Sequence, residues 1–270
     1  MASAPDAMKL HRLFVATTFA FATIASTAQA ESITGALYAA PVNRYGHFAL
    51  GQPHEYAHLT VTTGSGRKLE LQLPEDEVFE DLKPRLVQMA SSEPAEVLAI
   101  VSRRGDGSRL VMFGLNGERL VISAESPAIG TPNRWLNPVG VVDLDGDGQA
   151  EIAAVTTPHI GGTLRVYQRR GKQLVEVAAL AGFSNHVYGS LALGLSKPVV
   201  IGGRARLLVP DTARLNLRII ALAHERLVEV GRCALPAPVT HTIQIISPSV
   251  VSVGLATGQR HVVLEDCLGK

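Results

Sequence analysis

Two nine-residue segments, 55 positions apart, constrain this chain more than anything else in it. Asp143–Glu151 is DLDGDGQAE and Gln88–Glu96 is QMASSEPAE; both end in glutamate, and each leads into a short apolar run, IAAVTT or VLAIVS. The likeness extends outward on both sides. PRLV (84–87) precedes one copy and PVGVV (138–142) the other, and each continues through a polar turn into a strand ending on an aromatic, Phe113 or Tyr167. A weaker third copy, VYGSLALGLSKPVVIGG (187–203), puts PVVIGG in the same strand position. One such unit cannot bury its apolar face alone, so repetition implies stacking.

The runs between the turns are strand-like. LTVTT (59–63), RLVMFG (109–114), TLRVYQRR (163–170), LRIIALA (217–223) and HVVLE (261–265) are rich in β-branched residues, and Gly, Pro, Asn and Asp punctuate them. Hairpin turns fall at LNGE (115–118) and RRGK (169–172), whereas helical periodicity is nearly absent after residue 31. A period of roughly 50 residues with about four strands predicts an all-β protein built as a β-propeller. The length after residue 30 allows about five four-stranded blades. The last blade, with HTIQII, VVSVGLA and HVVLE, needs one more strand, and the N-terminal ALYAA (36–40) is expected to supply it. That closure by N- and C-terminal strands would remove free sheet edges. An open stack of sheets, or a seven-bladed ring built with another chain, is the alternative.

Residues 1–30 are set aside first. Lys9 and Arg12 precede LFVATTFAFATIAS, which ends in Ala28-Gln29-Ala30, the pattern of a signal peptide, with Met8 an alternative start. The run is shorter than the roughly 20 residues of a membrane span, and no later stretch is long and apolar enough. The expected mature chain is 31–270, periplasmic or secreted, with no membrane span. Its acidic and basic residues balance, so it offers no electrostatic footprint for nucleic acid. Cys233 and Cys267 either pair in an oxidising compartment or remain two buried thiols, because sequence does not give the Cα separation a bridge requires.

The acidic segment carries the chemistry. With ligands at alternating positions, Asp143, Asp145 and Asp147 offer side-chain oxygens, Gln149 its backbone carbonyl, and Glu151 a closing carboxylate. Oxygen donors without His or Cys suit Ca2+. Two carboxylates near 4 Å repel by about 4 kcal/mol at an effective dielectric of 20, so the loop wants a counter-ion. An EF-hand would need its bidentate glutamate at Ala154 and flanking helices. A closed set of protein oxygens serves architecture rather than catalysis.

Both loops resemble the FG-GAP or VCBS repeat of integrin-type β-propellers, of the form DxDGDGxxE followed by an apolar strand. RYGHFALG, LPEDEVFEDLKPRLV and FSNHVYG are similar to stretches of exported bacterial VCBS-repeat proteins. The resemblance implies an exported, calcium-binding propeller acting as a scaffold or binding module for a protein or glycan. Gln88, Ala90 and Ser92 replace the three aspartates in the other copy, which is expected to bind nothing.

HEYAH (54–58) matches the zinc-protease pattern H-E-x-x-H, which works only on a helix; Pro53 before it and LTVTT after it argue for a strand instead. No nucleophile elbow is present. Ser184, Asn185 and His186, His159, and Arg44, Tyr45 and His47 sit in different turns that a ring would bring together at its channel. The alternative to a scaffold is therefore a periplasmic hydrolase or lyase working through His47, His159 or His186. Trp135 is expected to pack between blades.

Overall fold

The structure is a computed structural model that describes residues 1–2 and 31–269; the expected signal peptide falls on residues 3–30, outside them. Glu31–Lys270 forms one compact unit. Among the described residues there are strands, one three-residue 3-10 turn at Glu265–Cys267, and no α-helix. No helix there is long and apolar enough to cross a membrane.

The strands come in five successive groups. The first holds β1 (Ile33–Pro41), β2 (Tyr56–Thr63) and β3 (Lys68–Gln72). In the second, β4 (Glu77–Phe79) and β5 (Arg85–Val87) share one edge of β6 (Glu96–Arg103), followed by β7 (Gly107–Asn116) and β8 (Arg119–Glu125). The third is the meander β9 (Leu136–Val142), β10 (Glu151–Thr156), β11 (Thr163–Arg170) and β12 (Gln173–Ala181). The fourth is β13 (Lys197–Ile201), β14 (Arg204–Pro210), β15 (Asn216–Ala223) and β16 (Arg226–Ala234). The fifth has β17 (Val239–Ser247), β18 (Val250–Leu255) and β19 (Gly258–Val263). Narrow bridges, Tyr56 to Phe79 and a parallel pairing of Gln173 with Glu125, join the first three groups into one 12-stranded sheet.

Strand alternation builds the core. Successive side chains point to opposite faces, and in β10 Ile152 and Ala154 pack with Leu98, Ile100 and Trp135, while Ala153 and Val155 pack with Leu207 and Val209. The same division holds in β6: Leu98 and Ile100 face the third group, Val97, Ala99 and Val101 face Leu59 and Val61 of the first. Both strands lack the polar alternation of a half-solvated strand because both of their faces are buried. Each fully buried Val, Leu or Ile contributes about 1.5–3 kcal/mol relative to exposure. Four cores thus lie between the five strand groups, with Trp135 between the second and third.

Two expectations are corrected. β1 pairs with its sequence neighbour β2, from Ile33 opposite Thr63 to Pro41 opposite Tyr56, and does not complete the last group. No core cluster among the described residues joins β1–β3 to β17–β19, and none of the three sheets is closed. Loop-closure entropy favours the short connection β1 to β2 over one spanning most of the chain. The third repeat copy is displaced by one strand: VLAIVS and IAAVTT form second strands, whereas PVVI lies in β13, the first strand of its group. β13 buries only one face, Val199 and Ile201 in and Val200 out.

Cys233 and Cys267 are bonded, with Cα atoms 5.0 Å apart. The bond, an isolated bridge between Gly231 and Leu268, and Gly269 N–H donating to the Val230 carbonyl hold the C-terminal tail against β16.

Candidate metal loop and central histidine cluster

The turn between β9 and β10 is wrapped around its own carboxylates. Asp143 Oδ1 accepts from Gly146 N–H at 2.7 Å and Oδ2 from Gly148 N–H at 3.0 Å; Asp147 Oδ1 accepts from Gln149 N–H at 2.7 Å. Gly146 and Gly148 have φ of 87° and 90°, a region that a Cβ disfavours, which is why DGDG can wind this tightly. At the base Glu151 is fully buried, its Oε2 accepting from Leu144 N–H at 2.8 Å and its Oε1 from Gln168 Nε2 at 3.3 Å. Burial, with the Asp145 and Asp147 charges behind it, pushes the Glu151 carboxyl above its ordinary range.

Of the five residues marked by sequence, the structure brings the carboxylate oxygens of Asp143, Asp145 and Glu151 within 4.8 Å of one another. Asp147 lies outside that cluster, and Asp145 and Gln149 are exposed. A cavity of about 700 Å3, with Arg204 and Arg206 on its far wall, opens beside Asp143 and Asp145 and gives an ion access. Three negative groups converging on one point, all through oxygen, fit a hard divalent cation.

The sister turn between β5 and β6 is neutralised differently. Gln88 donates its Nε2 to the carbonyls of Ser91 (3.2 Å) and Glu93 (2.7 Å), so an amide fills the turn. Glu96, in the place of Glu151, receives Arg169 Nη1 from β11 at 2.5 Å. The two turns touch, Ala150 N–H donating to the Met89 carbonyl at 2.7 Å. No motif marks Arg169 in the sequence; the one signal there is Glu96 itself, a glutamate kept without its aspartates and so in need of a cation.

The scattered polar turns also meet. His186 Nε2 lies 2.8 Å from the Ser190 carbonyl, which only accepts, so that nitrogen carries the proton and Nδ1 is bare. His159 Nε2 then donates to His186 Nδ1 at 2.7 Å, leaving His159 Nδ1 as the bare nitrogen of the chain. Burial lowers both imidazoles to about 4, with His186, His47 and the Arg214 guanidinium adding to it at His159 and Arg214 at His186. Trp135 stacks parallel to His159 and donates its Nε1–H to the Glu80 carbonyl at 2.9 Å. Glu80 in turn holds His47 Nδ1 at 2.8 Å and accepts from Ser102 Oγ at 2.7 Å. Tyr188 spans the two halves, its ring edge-on to His159 and His47 and its hydroxyl donating to the His47 carbonyl.

Other marked residues have structural jobs. Arg44 clamps the Pro74 and Glu77 carbonyls away from the histidines, and Asn185 donates to the Asn137 carbonyl and Ser196 Oγ. His58 of HEYAH lies in β2, paired with Glu70, while Glu55 accepts the backbone N–H groups of Tyr45, Gly46 and His47. Glu80, Tyr188 and Arg214 were not singled out by sequence, since no motif spacing links them. In comparison with known proteins, no family model and no curated protein matches the chain.

Proposed function

We propose that this chain is an exported scaffold or binding module of the FG-GAP/VCBS kind, a β-propeller of about five blades stiffened by one calcium ion and presented in the periplasm or outside the cell to a protein or glycan partner. The observation that carries it is the convergence of Asp143, Asp145 and Glu151 in a turn between two strands buried on both sides. The three interior groups, each filling four strand positions and sharing its faces with two neighbours, support the blade reading. Asp143, Asp145 and Glu151 would hold the ion, with Asp147 and the Gln149 carbonyl in reach of the same turn; the ion supplies positive charge that offsets their repulsion. Glu151 lies beneath it and ties the turn to Leu144 and, through Gln168, to β11.

Calcium at 100 times its dissociation constant adds about 2.7 kcal/mol to stability. The thermal midpoint of the full chain therefore rises on adding calcium; Asp145→Ala removes the rise and Ser92→Ala keeps it. A wild-type midpoint indifferent to both calcium and chelator rejects the ion.

A second reading is favoured by the Glu80–His47 pair beside the His159–His186 pair. Each leaves one imidazole nitrogen free, an arrangement suited to proton transfer in a hydrolase or lyase. Turnover lost in His159→Gln with the fold intact would establish it.

A further inference from the structure

We propose that the outer edge of β19 is a docking strand for an extended peptide segment of a partner protein that carries an acidic and an apolar residue two positions apart, on one face, and adds as the fourth strand of the last group. Each of the three interior groups fills four strand positions, and the last fills three. β19 is laddered to β18 from Val263 opposite Val250 to Gly258 opposite Leu255, and its other side has no backbone partner among the described residues.

The chain's own tail does not fill the position. After Val263 it turns through Glu265–Cys267 and is fixed to β16 by the Cys233–Cys267 bond and the Gly231–Leu268 bridge. Of the usual defences of free strands the edge carries one, the inward-pointing charge of Arg260, and lacks two others, prolines and bulges. β19 has neither: its register with β18 is unbroken, whereas β17 is bulged in three places. All of β19 except Val262 is exposed.

The partner's chemistry follows from the core-side face of β19. Arg260 and Val262 pair with Val253 and Val251, both in the core, so they stand on the core side of the strand. An added strand places one side chain beside Val262, where an apolar residue extends the core, and another beside Arg260, where a carboxylate forms a cross-strand pair. Val263, at the end of the same strand, is exposed at 43%. Backbone addition with alternating side-chain pockets is a known mode of peptide recognition and is not open to a glycan, which has no ladder to offer.

This rests on the binding-module reading for the existence of a partner, while calcium-dependent stability is measured separately and stands or falls apart from it. The probe is a short synthetic peptide repeating valine-threonine-glutamate-threonine, which alternates valine and glutamate along one face, added to the calcium-saturated full chain, with a valine-threonine-lysine-threonine peptide as counterpart. The acidic peptide is expected to slow amide exchange across Gly258–Val263 by about tenfold or more. Arg260→Glu, at an unchanged thermal midpoint, reverses the preference between the two peptides. The proposal is overturned by unchanged exchange at this strand, by protection that ignores the charge reversal, or by protection that arises without peptide as the chain dimerises, which would make a second copy the occupant.

Discussion

The turns at 88–96 and 143–151 occupy the same place in adjacent strand groups, leading into the second strand position, yet they solve one electrostatic problem in opposite ways. Each retains a glutamate at the start of a strand buried on both faces. In one turn Arg169 and the Gln88 amide supply the positive charge and donors from within the protein. In the other, three carboxylates converge with no cationic side chain paired to them among the described residues, and burial raises Glu151. The difference lies in what β11 presents: the Arg169 guanidinium to Glu96 in one turn and the neutral Gln168 amide to Glu151 in the other.

The largest effect sets the window in which the contrast is legible. His159 and His186, held near 4 in the folded chain, take up protons at their ordinary value of 6.5 once unfolded. The unfolded state then binds more protons, so their contribution is complete above about 6.5 and is lost as pH falls toward 4, on the order of 3 kcal/mol for the pair after solvent screening. A stability profile flat between those limits, or one unchanged in His186→Gln, rejects the neutral pair. Next, above that window, Arg169→Gln strips Glu96 of its partner and lowers stability by about 1.5–3 kcal/mol in chemical denaturation, equally with and without calcium. A loss that calcium restores would mean that the sister turn already binds the ion. The subtlest test restores aspartate at Gln88, Ala90 and Ser92: alone it adds no calcium equivalent by isothermal titration, because Arg169 holds Glu96, and combined with Arg169→Gln it adds one.

What sequence made legible follows from local physics. Val- and Ile-rich runs, the glycine turns at Gly117 and Gly171, and the burial of Trp135 depend on neighbours a few residues away or on bulk apolarity, and the strands fall where they are expected. Asp143, Asp145 and Glu151 meet because one short turn contains them all. The closing role given to β1 failed because strand pattern carries no information on which edge a strand joins. PVVI was misplaced because an apolar run marks a strand without stating its rank in the sheet. Arg169, Glu80 and Tyr188 were missed for the same reason: each acts on a partner at least 33 positions away, Arg169 on Glu96, Glu80 on His47 and Tyr188 on His47.

The two-sided strands also dictate where this chain tolerates changes in length. Inserting one residue into β10 would exchange its two faces, sending Val155 toward Trp135 and Ile152 toward Phe183, so a single indel would disturb two cores at once. Related chains should therefore vary in the turns and keep the lengths of β6, β10 and β14 fixed, and divergence should proceed by gaining or losing whole sheets.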